Sequence, residues 1–436
     1  MNNHMDIPWH EYTNKDSKVK IENASLTEKS SVIGRIGLML LACGTGAWRV
    51  RSSMNTIASE LNITCIADIG LTNISYTCID GIESHAQSLS LHNTSVNTSK
   101  LARMEDFVYH FKDECKTCTC NEIHNQLDQI ESIHSSYSPI ILGLAAALAC
   151  SCFTFLLGGG PIEMLCAFVG AGLGNTLRMK LIKHNYTLFL NVAASVSLAC
   201  LAYALLFNFL ETCFGIATQH EAGYICSMLF IIPGFPFITS GIDLAKLDLR
   251  SGLERLAYAV IIILAATLTA WICALVLHLQ PVDFVKLHIS TSTKLLLRLL
   301  TSFGGVFGFS IMFNSSKKIA ASAGCIGAIA NTLRLTLVDL SLPAAAAAFI
   351  GALTAGLLAS MIKGNTGYPR IAITVPSIVI MVPGLYMYRA IYNLELASTV
   401  SIGANWLIQS LLIVLALPMG LIFARILTDP SFRYCT

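Results

Sequence analysis

Beyond Pro139 the chain alternates long apolar stretches with short polar connections. Ten stretches approach the ~20 residues that a helix needs to cross a bilayer. They run Pro139 to Leu157, Pro161 to Met179, Leu188 to Phe207, Ala222 to Ser240, Arg255 to Leu277, Thr293 to Phe313, Ile319 to Leu337, Leu342 to Ile362, Ile371 to Ile391 and Val400 to Ala424. The expected class is an all-α polytopic membrane protein. Ahead of these spans the period changes. Apolar or small residues from Ile33 through Leu40, Val50 and Met54 to Leu61 recur at three- and four-residue spacing, which predicts one amphipathic helix. Ile63 to Cys78 partly alternates β-branched and polar residues, and Leu101 to Phe111 and Ile123 to Ile133 are helical again. A small α+β domain over 30–138 is therefore expected, preceded by a tail, 1–29, expected to be disordered.

The apolar region contains a repeat. Asn175-Thr176-Leu177-Arg178 is followed in a later stretch by Pro233-Gly234, and Asn331-Thr332-Leu333-Arg334 is followed by Pro383-Gly384. The motifs are offset by 156 residues and the Pro-Gly pairs by 150. Two repeats of five helices follow, over 139–285 and 286–436. Five is odd, so the second repeat enters the membrane with the opposite polarity, and the expected architecture is a pair of inverted-topology repeats with Pro-Gly-broken helices.

Composition sharpens this picture. Hydrophobic residues make up 54% of the 436 and charged residues 12%, about half the charged share of a soluble protein. Lys and Arg beyond Pro139 concentrate on the side that would be cytoplasmic if the N-terminus is, so both termini are expected there, in a bacterial-type inner membrane. No basic groove with interleaved aromatics exists, which argues against nucleic acid. No charged stretch leads promptly into an apolar core with a cleavage site, so no signal peptide is expected. Many of the fifteen cysteines sit inside apolar runs as soft hydrophobes rather than as a disulfide framework.

Candidate chemistry comes from the breaks and from charges at membrane depth. Pro233-Gly234 and Pro383-Gly384 each remove a backbone donor and loosen the chain in mid-span, so freed amides and carbonyls must find protein, water or solute. Half-helix ends of this kind hold the charged groups of small solutes, the positive N-terminal end facing a carboxylate. Ionisable residues in a span cost about 2.5 to 3.5 kcal/mol and usually face a cavity or a partner. They are Glu163, Arg178, Arg334, Asp243, Asp339 and Arg389. Asn175 and Asn331, one turn before their arginines, would hydrogen-bond a solute or tie helices together. Asp243 and Glu163 are the candidates for carrying a proton.

In the N-terminal domain, Cys115, Cys118 and Cys120 with His110 and His124 resemble part of a zinc set, but no second Cys pair completes it, and no metal or cofactor is expected. Asp80, Glu83 and His85 read as a polar loop in preference to a hydrolytic cluster. A phosphate-binding loop that would signal ATP hydrolysis is absent.

Gly44 to Val50 running to Ile57-Ala58, Ile232-Pro233-Gly234-Phe235-Pro236 running to Asp243 and Ser251-Gly252, and Val375-Pro376 through Val382-Pro383-Gly384-Leu385 together resemble the threonine/serine exporter family. The resemblance covers about Ser30 to Arg425. It implies ten spans, a cytoplasmic N-terminal domain, and export of threonine and serine by the proton motive force, with Pro233, Gly234, Asp243, Pro383 and Gly384 in the site region. Some family members divide the two halves between separate chains. The cysteine cluster is outside the family pattern.

The expected function is thus a secondary transporter, not an enzyme, exporting small hydroxy amino acids across a lipid bilayer in exchange with protons. Its substrate site would draw on Pro233, Gly234, Asp243, Pro383, Gly384, Asn175, Arg178, Asn331, Arg334 and Arg389. Two alternatives are an exporter of dicarboxylates or other small organic acids, with the arginines dominant, and a membrane-anchored enzyme or sensor acting through the N-terminal domain. A homo-oligomer is compatible with all three.

Overall fold

A computed structural model describes residues 7–12, 18–92, 94–133, 137–215, 223–279, 284, 289–366, 369–395 and 399–433. They form two compact units. One holds the residues up to 133 together with Ile242–Arg255, and the other holds Tyr137–Gly241 with Leu256 onward.

The first unit is built on an antiparallel meander, β1 (Thr64–Ile69), β2 (Asn73–Asp80) and β3 (Glu83–Ser90), in the order β1-β2-β3. Alternate residues of β1 and β2 are buried, which fixes the face that α1 (Leu26–Ala42) and α2 (Ala47–Glu60) cover. The helix α1 opens with a reciprocal capping box, Glu28 N–H donating to Ser25 Oγ and Ser25 N–H to Glu28 Oε2. Gly34 lies so close to the Tyr76 ring that a methyl group there would overlap it, and the Tyr76 hydroxyl donates to Ser30 O at 2.9 Å. The helices α3 (Thr98–Glu114) and α4 (Cys120–Glu131) complete the unit.

Two sequence expectations change here. The single amphipathic helix over Ile33 to Leu61 is two helices, because Gly44 takes φ +80°, a conformation only glycine adopts without strain, and Gly46 is extended. The apolar period continues through the turn since both helices bury the same kind of face. The described part of the expected tail is also ordered. Ile21 is fully buried, its N–H donates to Cys118 O, and Lys20 bridges Thr119, while Trp9 stacks on His124. One buried aromatic and one buried isoleucine in a polar segment produce no period, so sequence pattern does not reveal them.

The second unit is helical throughout its described residues. Its first half runs α5 (Pro139–Leu156), α6 (Pro161–Lys183), α7 (Leu188–Phe214), α8 (Gly223–Ser227) with a 3-10 turn Leu229–Ile231, α9 (Gly234–Ala245) and α10 (Leu249–Leu277), the end of α9 and the start of α10 belonging to the first unit. The second half repeats the order with α11 (Thr291–Met312), α12 (Lys317–Asp339), α13 (Ala344–Thr366), α14 (Arg370–Val379), α15 (Gly384–Glu395) and α16 (Val400–Thr428). Seven described helices are long and apolar enough to cross a membrane, or nine if each bent pair counts as one span. Against the ten expected, α6 is the difference: it has 23 residues, but Glu163, Asn175 and Arg178 lower its hydropathy.

The halves use the same local devices. Asn175 Nδ2 donates to Leu142 O at 2.8 Å and ties α6 to α5, and Asn331 Nδ2 donates to Ser302 Oγ at 2.9 Å and ties α12 to α11. Gly174 sits so close to Ser195 O and Gly327 to Ser377 O that a methyl group at either would force the helices apart.

Candidate functional site

Both Pro-Gly pairs break a helix. The bend between α8 with its 3-10 turn and α9 is 57°, and that between α14 and α15 is 48°. Their backbone hydrogen bonds match residue for residue at the 150-residue offset. Gly234 N–H donates to Ile232 O as Gly384 N–H does to Val382 O, and Phe237 N–H to Pro233 O as Met387 N–H does to Pro383 O. The carbonyls of Met228 and Ile378 likewise accept from Ile231 and Met381.

The two breaks also face each other. A methyl group on Gly234 would lie 3.2 Å from Val379 Cγ1 and 3.3 Å from Val382 Cγ2, while one on Gly384 would overlap Ile232 Cδ1 and touch Leu229. Each break therefore packs on the turn of the other. Next to the Gly234 break, Tyr224 and Tyr388 join hydroxyls at 2.7 Å with both rings fully buried.

The arginines of the repeated motif stand beside the breaks. Arg178 Nη1 donates to Phe230 O at 3.4 Å, at the carbonyl end of the first half-helix, where a cation is favoured. Arg334 Nη1 donates to Asn331 Oδ1, and its Cβ shares a contact at Gly351 with Met381 of the second break. Glu163 is buried at the first turn of α6 and accepts from Gly160 N–H at 2.9 Å. The helix α6 that carries Glu163 packs against α8, and α8 packs in turn against α15, which carries Arg389. Arg389 also lies over Trp406 at 5.3 Å. Asp339 is further out, half-exposed and held by Lys294 and Arg298.

Asp243 belongs to the other unit. Its fully buried carboxylate accepts at Oδ2 from Ala47 N–H (3.2 Å), Ser251 Oγ–H (3.0 Å) and Arg255 Nε–H (3.2 Å). Arg255 in turn donates to Gly44 O and, at 2.7 Å, to Thr45 O. A carboxylate at the first residue of α2 and a guanidinium on the carbonyls of the α1–α2 turn match charge to charge, all three donors converging on Asp243 Oδ2, while its Oδ1 is buried without a hydrogen-bond partner among the described residues. Gly46 has to be glycine here, since a methyl group would lie 2.5 Å from Asp243 Oδ1. Around this core Arg51 pairs with Asp248 at 2.5 Å, Glu254 accepts from Leu71 N–H, and Lys246 lies over Trp48.

The cysteine cluster does not converge. Cys115 donates to Gln126 Oε1, Cys118 to Glu114 O and Cys120 to Glu28 O. Burial pushes the Cys115 and Cys120 thiols up to about 12. His124 is buried among Ser31 (3.1 Å), Arg35 and Trp9, and burial with the Arg35 charge lowers it to about 3. A guanidinium donates toward its Nδ1, so Nε2 carries the hydrogen toward Ser31, whose own hydroxyl donates to Glu28 O. That arrangement is the reverse of a base activating a serine. Asp80, Glu83 and His85 line one hairpin, with Asp80 opposite Glu83 and His85 opposite Cys78.

Residues 31–277 match the threonine/serine exporter family model, and residues 298–427 match a second, described as Threonine/Serine exporter, ThrE. The chain belongs to the threonine/serine exporter family. A relative from Mycobacterium tuberculosis (strain ATCC 25618 / H37Rv), named a probable threonine/serine exporter, is 22% identical over 418 residues, 92% of this chain and 76% of its own length. An uncharacterized protein of Haemophilus influenzae is 26% identical over 168 residues, 35% of this chain and 56% of its own length. No solved structure matches. Membership makes this exporter-family chain a multi-pass membrane transporter for a small molecule.

Sequence reasoning singled out the Pro-Gly pairs, both arginines, Glu163, Arg389 and Asp243. Within each unit the structure brings in further residues that sequence reasoning passed over. Arg255 read as an inner-loop charge and Gly44 to Ala47 as mid-helix, although a Gly-Thr-Gly run inside a helical period was a signal for a break. Tyr224 and Tyr388 gave no signal, being two tyrosines among thirteen.

Proposed function

We propose that the chain is a secondary transporter that exports threonine and serine across the inner membrane, driven by the proton motive force, through two inverted repeats with the solute site between their broken helices. The observation that carries this reading is the mutual packing of two breaks with matched hydrogen bonding. Broken helices leave polar backbone that must be enclosed by protein or used by a solute, and breaks at equivalent places in two repeats put those ends side by side. Five elements per half give the odd count that inversion requires, with both termini on the cytoplasmic side.

A zwitterionic solute needs an anion for its ammonium group and a cation for its carboxylate. Glu163 supplies the first, and Arg389, with Arg178 and Arg334 at the breaks, the second. Pro233, Gly234, Pro383 and Gly384 shape the cradle, and Asn175 and Asn331 hold the helices that line it. Of the two carboxylates, Glu163 exchanges a proton for the ammonium group during the cycle. Asp243 already has Arg255 as counter-ion and acts on the conformation of its own unit instead of on the solute.

The test is efflux of labelled threonine, serine and succinate from preloaded cells, with and without a protonophore. Threonine or serine efflux that collapses with the proton gradient, and that Glu163→Gln uncouples, supports the reading. Efflux of succinate alone, or threonine efflux indifferent to the protonophore, rejects it.

A further inference from the structure

We propose that Tyr224 and Tyr388 form the part of the site that recognises the hydroxyl group of the solute, and so set the preference for hydroxy amino acids over their apolar isosteres. The inference rests on the transport reading above and adds to it the side chains that would determine specificity.

Three observations support it. The two phenols belong to different halves of the repeat, Tyr224 to α8 ahead of the first break and Tyr388 to α15 just past the second. They are fully buried and edge-to-face, ring centroids 5.9 Å apart at 84°, and Tyr388 also stacks on Tyr392. Neither ring could be there for its apolar surface alone, since phenylalanine would supply that without a polar oxygen to desolvate.

The hydrogen-bond inventory is incomplete. A pair of phenols carries two hydroxyl hydrogens and one is used in the 2.7 Å bond between them. The other meets no acceptor among the described residues. A buried donor left unmatched is costly unless something supplies an acceptor in another state of the protein. A solute hydroxyl can accept that hydrogen and donate back to the second phenol, completing the set.

Position supports the same assignment. Tyr224 lies on the short helix α8, which packs against α6, whose first turn carries Glu163, and against α15, which carries Arg389. A small amino acid with its ammonium group toward Glu163 and its carboxylate toward Arg389 would have its side chain within reach of this turn. The phenols also bridge the two broken helices, so a solute that takes over their hydrogen bond would act on the contact between the halves.

The experiment uses the full chain in proteoliposomes and compares labelled threonine with valine, which has a methyl in place of the hydroxyl. The wild type should prefer threonine. Tyr388→Phe and Tyr224→Phe, which keep the ring and remove the oxygen, should each lower the threonine-to-valine ratio by roughly tenfold, through loss on threonine. Competition on the wild type alone gives a readout independent of how well the variants fold: unlabelled valine should inhibit threonine efflux poorly. A wild type that is inhibited equally by both, or phenylalanine variants that keep the wild-type ratio, would overturn the inference while leaving the transport reading intact. A wild type that carries neither threonine nor serine would overturn both.

Discussion

Single residues in this protein are constrained by what faces them, and Gly384 and the Asp243–Arg255 pair show two ways. Gly384 has no room for a methyl group against Ile232. Gly384→Ala should push the breaks apart and reduce threonine efflux by an order of magnitude or more with normal membrane levels, roughly the effect of misplacing site groups by an ångström. Unchanged efflux would mean that the breaks do not need to touch. Asp243 and Arg255 are both buried, 0% and 2% exposed. Arg255→Leu leaves a buried carboxylate with one fewer donor, and a cost of about 3 to 5 kcal/mol is expected, read as a lowered melting temperature of the purified full chain. The double variant Asp243→Asn with Arg255→Leu should recover part of that loss, because the buried charge is gone. Recovery of nothing would show that the carbonyls of Gly44 and Thr45, and not the carboxylate, are what Arg255 serves.

At the scale of elements, α4 carries a pH dependence. Buried His124 is held neutral in the folded chain, lowered to about 3 from 6.5, whereas the unfolded chain protonates it below about 6.5. Stability from this group is fully present above that pH and is lost as pH falls toward 3, by about 1.4 kcal/mol per unit. Asp128 adds in the same direction. Burial opposes its charge, but hydrogen bonds from Arg35 and His10 hold it below its usual range. Melting of the full chain followed through Trp9, which stacks on His124, should fall between pH 7 and pH 5. His124→Gln should flatten that slope, and a slope unchanged by the substitution would place the acid sensitivity elsewhere. The pattern of elements was only partly legible from sequence. Apolar period located the helices on either side of the Gly44–Gly46 turn and missed the turn itself, because a period reports which face is buried and not whether the axis continues.

For the whole molecule, the expectation is that the connection between the two halves is dispensable and the N-terminal unit indispensable. Each half closes its own helix order and the breaks meet through side-chain packing, so chains 1–285 and 286–436 produced together should restore threonine efflux to within a few-fold of the intact chain. Failure of the split pair at normal membrane levels would show that the connection is a working part. Removing 1–138 would strip Asp243 and Arg255 of Ala47, Gly44 and Thr45, leaving two charges short of partners. That truncated chain should be lost from membranes, as immunoblotting would show.

What the sequence by itself determined is what depends on neighbours along the chain: apolar length, the duplicated Asn-Thr-Leu-Arg and Pro-Gly signals, and the charges rare enough in apolar surroundings to be conspicuous. Helix formation and helix breaking are local, so Pro233-Gly234 and Pro383-Gly384 could be read directly. Only the tertiary structure decided the partners. Arg255 and Gly44 are 211 residues apart, and Tyr224 and Tyr388 are 164 apart. Hydrogen bonds of that kind depend on distance in space and leave no period or spacing in the chain. The same limit explains Asp243, which the sequence singled out only as a charge just past the first break, while its burial and its commitment to the start of α2 were set by a turn nearly two hundred residues earlier.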